Sequence, residues 1–278
     1  MNTNFIPEKK LRVAILSMYR NQESQSMLYI RSFLENQSKK HPIAWKVFAT
    51  RKSDELPQLE DYDLFISTGG PGDPHDGKGQ AWENHYFDFL SQIQAHNASG
   101  VKPKFVFSIC HSFQLLCRWL EIAEVIQRPK TCFGIFPCQK EEAGKSDPLF
   151  GKLPTGFLVV ENRNWQCVRP DLNKLAELGI SILAKEMQAP EPGAEPAILG
   201  LRISPYWVAT QFHPETNPAE MKELFTTPKK VKEVLESYNA AKLEEIRSML
   251  EQRNPSLSDT FETLLPEFFR TAAEEILS

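Results

Sequence analysis

Short apolar runs that alternate with helical patterns in the first 120 residues constrain the fold more than any other feature. Apolar side chains recur three or four positions apart in two stretches, one from the end of the run at 11–17 to about Asn36 and one at 80–96. This spacing is typical of helices that bury one face. Strands that alternate with such helices form a parallel sheet covered on both faces. We therefore predict an α/β fold with strands at 11–17, 45–50, 62–68 and 104–110, the last followed by a helix to about Leu120.

The second half of the chain has a different pattern, in which strand-like runs follow one another with few helices between them. Strands joined by short connections pair in antiparallel orientation, so we expect these runs to form an antiparallel extension or edge of the same sheet. Residues 186–198 are rich in Pro, Glu and Ala and predict an exposed loop. The strand-like runs are 132–139, 157–162, 165–170, 181–186, 197–203 and 206–212.

From Pro218 to the end the sequence reads as helix. An amphipathic segment at 229–253 is followed by a break at 254–259 and by a second segment at 260–277 that contains Pro266. We expect this tail to pack on the rest of the chain, because it carries more large apolar residues than a free helix would expose. These residues are Phe261, Leu264, Leu265, Phe268 and Phe269.

Composition excludes several classes of function. The chain has 278 residues and a net charge of −4, with its basic residues spread out, whereas nucleic-acid binding needs them clustered. No apolar run approaches the ~18 residues of a membrane span, and the first ten residues contain no apolar segment typical of a signal peptide.

Five irregularly spaced cysteines indicate reduced thiols in a cytoplasm. Cys132 and Cys138 lack CxxC spacing, so we expect no metal site.

Cys110 lies where an apolar strand pattern passes into a helical one. On such a turn the helix N-terminus favours a thiolate, and the next backbone N–H can face a developing oxyanion. Buried cysteines are also common packing residues, so local context leaves both interpretations open. A catalytic cysteine needs a base, and the adjacent His111 would point away from the thiol.

His213 is the better candidate for that base. It follows the strand pattern of 206–212, and Pro214 stiffens the corner that it occupies. Glu215 is two residues further on, so its side chain would lie on the same side as the imidazole. The pair can then act as base and orienting carboxylate for a thiol.

A third feature is the glycine-rich segment STGGPGDP at 67–74, at the end of a predicted parallel strand. Sites in open α/β sheets lie at this edge, and glycines allow backbone N–H groups to converge on an anion. Alone, the segment would be read as a plain turn.

Taken in order, STGGPG (67–72), SICHSFQ (108–114) and QFHPE (211–215) resemble the motifs of class I glutamine amidotransferases. That family has a Gly-Gly-Pro loop, then G-x-C-x-G-x-Q, then a late His-Pro-Glu, and the glutaminase domain of GMP synthetase is the most similar. The resemblance covers roughly residues 11–217. It implies a flavodoxin-like, mostly parallel α/β domain at 1–217, with the helical extension at 218–278.

The resemblance also implies catalytic roles. Cys110 would be the nucleophile, His213 the general base and then acid, and Glu215 the residue that orients the imidazole. The backbone N–H groups of Gly70 and His111 would form the oxyanion hole. The implied reaction is attack on the glutamine side-chain amide, loss of ammonia, and hydrolysis of a γ-glutamyl thioester, without a cofactor.

Substrate binding is less well defined by the motifs. Gln114 matches the family glutamine, and Gly69 belongs to the glycine loop. The family's Ser-His pair is not obvious in the matching segment VVENRNWQ (159–166). Asn162, Arg163 or Asn164 could instead recognise a substrate carboxylate, with Arg163 as the most natural bidentate partner. Arg163 could equally be a solvated charge at a strand edge.

A second departure concerns the two family glycines beside the nucleophile, which are Ser108 and Ser112 here. Each adds a Cβ and a hydroxyl where strand and helix approach closely, so we expect a different pocket floor. This favours, as an alternative to glutamine, a γ-glutamyl amine or peptide as substrate.

Three functions therefore stay open. The first is a glutaminase or amidotransferase subunit, which would pass ammonia to a separate enzyme. The second is a γ-glutamyl amine or peptide hydrolase with the same residues. The third is a catalytically silent binding protein that uses its C-terminal helices to hold a partner. The oligomeric state is also open, and a homodimer is one expectation.

Overall fold

The computed structural model describes residues 9–20, 24–189, 192–251 and 255–278. The strands are β1 (Leu11–Leu16), β2 (Ile43–Phe48), β3 (Leu64–Ser67), β4 (Phe105–Ile109), β5 (Glu124–Lys140), β6 (Gly156–Val168), β7 (Ser181–Glu186), β8 (Ile198–Ser204) and β9 (Trp207–Thr210). The helices are α1 (Gln25–Ser38), α2 (Thr50–Ser53), α3 (Ala81–Ala98), α4 (His111–Leu120), α5 (Glu142–Ser146), α6 (Leu172–Leu178), α7 (Pro218–Leu224), α8 (Pro228–Ser237), α9 (Ala240–Glu251) and α10 (Pro255–Leu277), with short 3-10 turns at Leu59–Asp61 and Phe150–Lys152.

All nine strands join one sheet in the order β2-β1-β3-β4-β9-β8-β7-β5-β6. The first five strands in this order are parallel, and each later neighbour pairs in antiparallel orientation. The predicted α/β class, with a mostly parallel sheet and an antiparallel extension, is therefore confirmed.

The antiparallel prediction holds on only one side of the run at 206–212, which pairs with β8 in antiparallel orientation. Its strand, β9, pairs with β4 in parallel, because the tight β8–β9 connection reverses the chain and inserts β9 beside β4. All four β9 residues are buried, as expected of an inner parallel strand. In addition, the runs at 157–162 and 165–170 form one continuous strand, β6.

Helices cover both faces of the parallel strands. On one face, α1 and α10 pack on alternate side chains of β1, β3 and β4. On the other face, α3 and α4 cover the intervening side chains. The ring of Phe268 in α10 lies 5.7 Å from that of Phe105 and 5.3 Å from that of Phe107. Residues of the C-terminal tail thus complete the core over the central strands.

The helices of the tail differ in detail from the sequence prediction. The segment at 229–253 divides at Tyr238 and Asn239 into α8 and α9. The expected break at 254–259 is narrower, because α10 begins at Pro255; residues 252–254 lie outside the described residues. A third apolar cluster joins α7, α8 and α9 to β5. No helix within the described ranges is long and apolar enough to span a bilayer.

Candidate active site

The carboxyl ends of four parallel strands carry the candidate residues. Tyr19 follows β1, the loop at 69–72 follows β3, Cys110 follows β4 and His213 follows β9. Because β4 and β9 are parallel neighbours, with Ile109 beside Thr210, the residues after both strands meet at one edge. The N–H of Cys110 donates to the Thr210 carbonyl at 2.8 Å, which fixes this register at the site.

Cys110 has an uncommon backbone conformation, with φ 49° and ψ −97°. A positive φ at a residue with a Cβ is strained, and such strain concentrates at functional sites. The turn ends β4 and places Cys110 at the N-cap of α4, which is the positive end of the helix dipole. Only 4% of the residue is exposed.

The glycine loop passes against the cysteine and the histidine. A Cβ on Gly69 would lie 3.0 Å from His213 Cε1 and 3.4 Å from Cys110 Cβ. A Cβ on Gly70 would lie 2.5 Å from the Met18 carbonyl oxygen, a distance that real Cβ atoms do not adopt. Gly70 therefore has to be glycine for this loop to approach the end of β1.

His213 is held from two sides. Its N–H donates to the Val160 carbonyl of β6 at 2.9 Å, and its Nδ1 lies 2.8 Å from Glu215 Oε1. Burial lowers the pKa of His213, but the Glu215 carboxylate and the Cys110 sulfur outweigh burial and raise it well above its usual value. Both neighbours therefore favour the protonated form of the imidazole.

Two further residues complete this cluster and were missed by sequence reasoning. The Ser26 hydroxyl in the first turn of α1 donates a short hydrogen bond to Glu215 Oε1. Tyr19 borders both His213 and Gly69, and burial is the main cause that raises the pKa of its hydroxyl. The position of Tyr19 after β1 is a signal that sequence could have given, whereas Ser26 carries none.

The side chain of His111 has no part in this cluster. Its ring is buried, neither ring nitrogen has a hydrogen-bond partner in the described part of the chain, and burial followed by the charge of Arg51 lowers its pKa well below the usual value. As the first residue of α4, however, it has a backbone N–H without an intrahelical acceptor.

A cavity of about 220 Å³ opens above these residues. Cys110, Gly70 and His213 line one side, and Asn162, Asn164 and Trp165 of β6 line the other. The Gln114 amide also lines it, donating to Gln211 Oε1 at 3.2 Å and to the Trp165 carbonyl at 3.3 Å.

Solved structures resemble this chain over about three quarters of its length or more. A glutamine amidotransferase from Thermotoga maritima aligns with a TM-score of 0.67 at 16% identity, covering 96% of this chain and 98% of its own. A glutamine amidotransferase from Methylobacillus flagellatus aligns with a TM-score of 0.59 at 15% identity, covering 97% and 92%. The glutaminase domain of Trypanosoma brucei CTP synthase, solved with acivicin, aligns with a TM-score of 0.56 at 12% identity, covering 74% and 86%.

The chain has the fold of the class I glutamine amidotransferases. The three sequence motifs predicted this fold, and the structural similarity confirms that prediction. No protein-family model matches the sequence, and no curated protein matches it.

The two serines that depart from the amidotransferase motif lie outside the cavity, so the expectation of an altered pocket floor is wrong. Trp207 Nε1 donates to the Ser108 hydroxyl at 3.1 Å. The Ser112 hydroxyl donates to the Thr68 carbonyl at 2.6 Å and shares a 2.8 Å hydrogen bond with Ser67. Within the core, the Ser108 hydroxyl thus joins β4 to β9, and the Ser112 hydroxyl joins α4 to the end of β3.

Arg163 is not the solvated strand-edge charge that was one of its two predicted roles, because it is buried. Although it borders the cavity, its guanidinium is buried and binds Glu161 at 2.5 Å and Glu186 at 2.6 Å. Its remaining Nη1 donates to the Trp165 carbonyl at 3.1 Å. This arrangement favours a role in positioning β6 over direct contact with a substrate carboxylate.

The same network contains the one cluster of metal-ligand side chains found in the described ranges, formed by Cys132, Glu161 and Glu186. Arg163 bridges the two glutamates, and Arg128 binds Glu186 at 2.7 Å. Two arginines thus balance two carboxylates, which leaves no net negative charge to attract a cation.

Proposed function

We propose that the protein is a cysteine-dependent amidohydrolase that cleaves the γ-amide of a γ-glutamyl substrate, of which glutamine is the simplest. The observation that carries the proposal is that Cys110 and His213 line the same cavity while His213 Nδ1 lies 2.8 Å from Glu215 Oε1. The fold shared with glutamine amidotransferases supports it.

In this mechanism the Cys110 sulfur attacks the γ-carbonyl carbon, and the C–N bond breaks as His213 gives its proton to the leaving nitrogen. Gly70 and His111 supply N–H donors to the oxyanion, each worth about 3–4 kcal/mol in sites of this kind. A water then attacks the thioester, His213 takes its proton, and the C–S bond breaks to release glutamate. Gln114, Gly69 and the β6 side of the cavity would hold the glutamyl group.

Active-site labelling tests the proposal. A glutamine-like diazo-ketone should alkylate Cys110 with loss of nitrogen, seen as one adduct by intact mass. Cys110→Ala should abolish both the adduct and hydrolysis, whereas Cys117→Ala, a control in the same helix, should retain both. Hydrolysis that survives Cys110→Ala would refute the proposal, and an unlabelled, inactive wild type would favour a silent binding protein.

If glutamine is the physiological substrate, the released ammonia would pass to an acceptor enzyme on a separate chain. Copurification from the native host tests that extension: an enzyme that consumes ammonia should be enriched with the wild-type protein.

A further inference from the structure

A second cavity of about 190 Å³ adjoins the first one. Tyr19, Asn162 and His213 line both cavities, so these residues form the boundary between them. Cys110 and Gly70 line only the first cavity. The second cavity therefore reaches the histidine without reaching the proposed nucleophile or the glycine loop.

The position of His213 indicates which part of a substrate the second cavity would bind. In the proposed mechanism the acyl group lies with Cys110 and Gly70, and the imidazole protonates the leaving nitrogen. A substituent on that nitrogen must extend past His213, away from the sulfur. The second cavity lies on that side of the imidazole. Ammonia is close in size to a water molecule, about 30 Å³, so ammonia as leaving group would fill only a small part of the second cavity.

The lining of the second cavity specifies what it can hold. Phe133 and Val160 from the sheet and Met221, Leu224 and Phe225 from the C-terminal helices give it apolar walls. Such a surface suits an aliphatic or aromatic group.

One cation completes the lining. Lys230 Nζ lies 5.7 Å from the ring centre of Phe133 and 5.8 Å from that of Phe225. It also pairs with Glu233, whose side chain is 55% exposed. The acidic residue of the lining, Glu161, is already bound to Arg163, so the cavity combines apolar walls with a positive charge.

We infer that the second cavity binds the leaving group, and that the substrate class is the γ-glutamyl dipeptides with an apolar C-terminal residue. The apolar side chain would contact Phe133 and Phe225, and the C-terminal carboxylate would face Lys230. The inference rests on the proposed function and names its substrate. Hydrolysis consumes one water and releases glutamate and the free apolar amino acid.

A comparison of substrates with the full-length protein tests this inference. We expect kcat/KM for γ-glutamylphenylalanine to exceed that for glutamine and for γ-glutamylglycine by about tenfold or more, the scale of apolar pocket discrimination. A value for glutamine that equals or exceeds that for the phenylalanine dipeptide would overturn the inference and leave the proposed function intact. Failure to hydrolyse any γ-glutamyl compound would overturn both.

Two variants locate the effect in the second cavity. Leu224→Trp should lower kcat/KM for γ-glutamylphenylalanine about tenfold more than that for glutamine, and equal losses would contradict the assignment. Lys230→Gln should weaken hydrolysis of γ-glutamylphenylalanine but not of γ-glutamylphenethylamine, which lacks the carboxylate. The matched controls are Leu235→Trp and Lys229→Gln, at exposed positions of α8 outside the cavity. Leu235→Trp should not change the ratio of kcat/KM for γ-glutamylphenylalanine to that for glutamine. Lys229→Gln should not change the ratio of kcat/KM for γ-glutamylphenylalanine to that for γ-glutamylphenethylamine.

Discussion

At the scale of single residues, the site combines strain, close approach and charge. Cys110 adopts a positive φ at the N-cap of α4, and Gly70 leaves no room for a Cβ beside Met18. His213 keeps its proton because Glu215 and the cysteine sulfur lie next to it. Each of these three features belongs to a single residue, and the proposed chemistry requires all three residues to lie at the same edge of the sheet.

The raised pKa of His213 leads to a pH prediction. The imidazole that protonates the leaving nitrogen should stay charged above its usual pKa, so the alkaline limb of the kcat/KM profile should lie above that pKa. Glu215→Gln removes the main group that raises the pKa of His213, while burial continues to lower it. The alkaline limb of the kcat/KM profile should therefore move to lower pH, and kcat should fall by about 10²- to 10⁴-fold.

The control for this experiment is Glu223→Gln, an exposed glutamate of α7, which should leave the profile unchanged. An alkaline limb at the same pH in wild type and Glu215→Gln would show that Glu215 does not set the charge of His213.

Ser112 yields a prediction about the departure from the family glycine. Ser112→Gly removes a hydroxyl that hydrogen-bonds to Ser67 and to the Thr68 carbonyl. We expect the free energy of unfolding to fall by about 1–3 kcal/mol, since buried partners lose their hydrogen bonds. Because Ser112 does not line the cavity, kcat/KM should stay near the wild-type value. Urea denaturation and steady-state kinetics measure the two effects, and an activity loss without a stability loss would contradict this interpretation.

At the scale of elements, the direction of β9 decides whether a site forms. His213 follows β9 and meets Cys110 because β9 runs parallel to β4. With the opposite direction, the end of β9 would lie at the other edge of the sheet. The C-terminal helices have an equally direct role, since α10 covers the central strands while α7 and the start of α8 line the second cavity.

The packing of α10 can be measured through Phe268, which lies edge-on to Phe105 and Phe107. Phe268→Ala should reduce the free energy of unfolding by about 3–5 kcal/mol, as for large-to-small changes in a core. Leu235→Ala, at an exposed position of α8, should have little effect. Equal denaturation midpoints for the two variants would mean that α10 does not stabilise the core.

At the scale of the whole molecule, one sheet supports both the reaction edge and the surfaces around it. Five parallel strands present their carboxyl ends at one edge, and the antiparallel strand β6 reaches back to wall the cavity with Asn162, Asn164 and Trp165. The buried arginine–glutamate network holds that strand from behind. Residues of α7 and of the start of α8 then line the second cavity, so the C-terminal tail borders the site.

The sequence by itself determined the strand–helix alternation, the three motifs and the pairing of His213 with Glu215, because each depends on residues close together in the chain. It could not determine the direction of β9, since local patterns carry no information about which strand becomes its neighbour. For the same reason it misjudged Ser108 and Ser112, whose hydrogen-bond partners Trp207 and Ser67 lie 99 and 45 residues away in the sequence. It also gave no sign that Arg163 binds Glu186, 23 residues further along the chain. Only the tertiary structure placed Ser26 on Glu215 and a second cavity beside His213, because burial and hydrogen bonding there join β1, α1, β6 and the C-terminal helices.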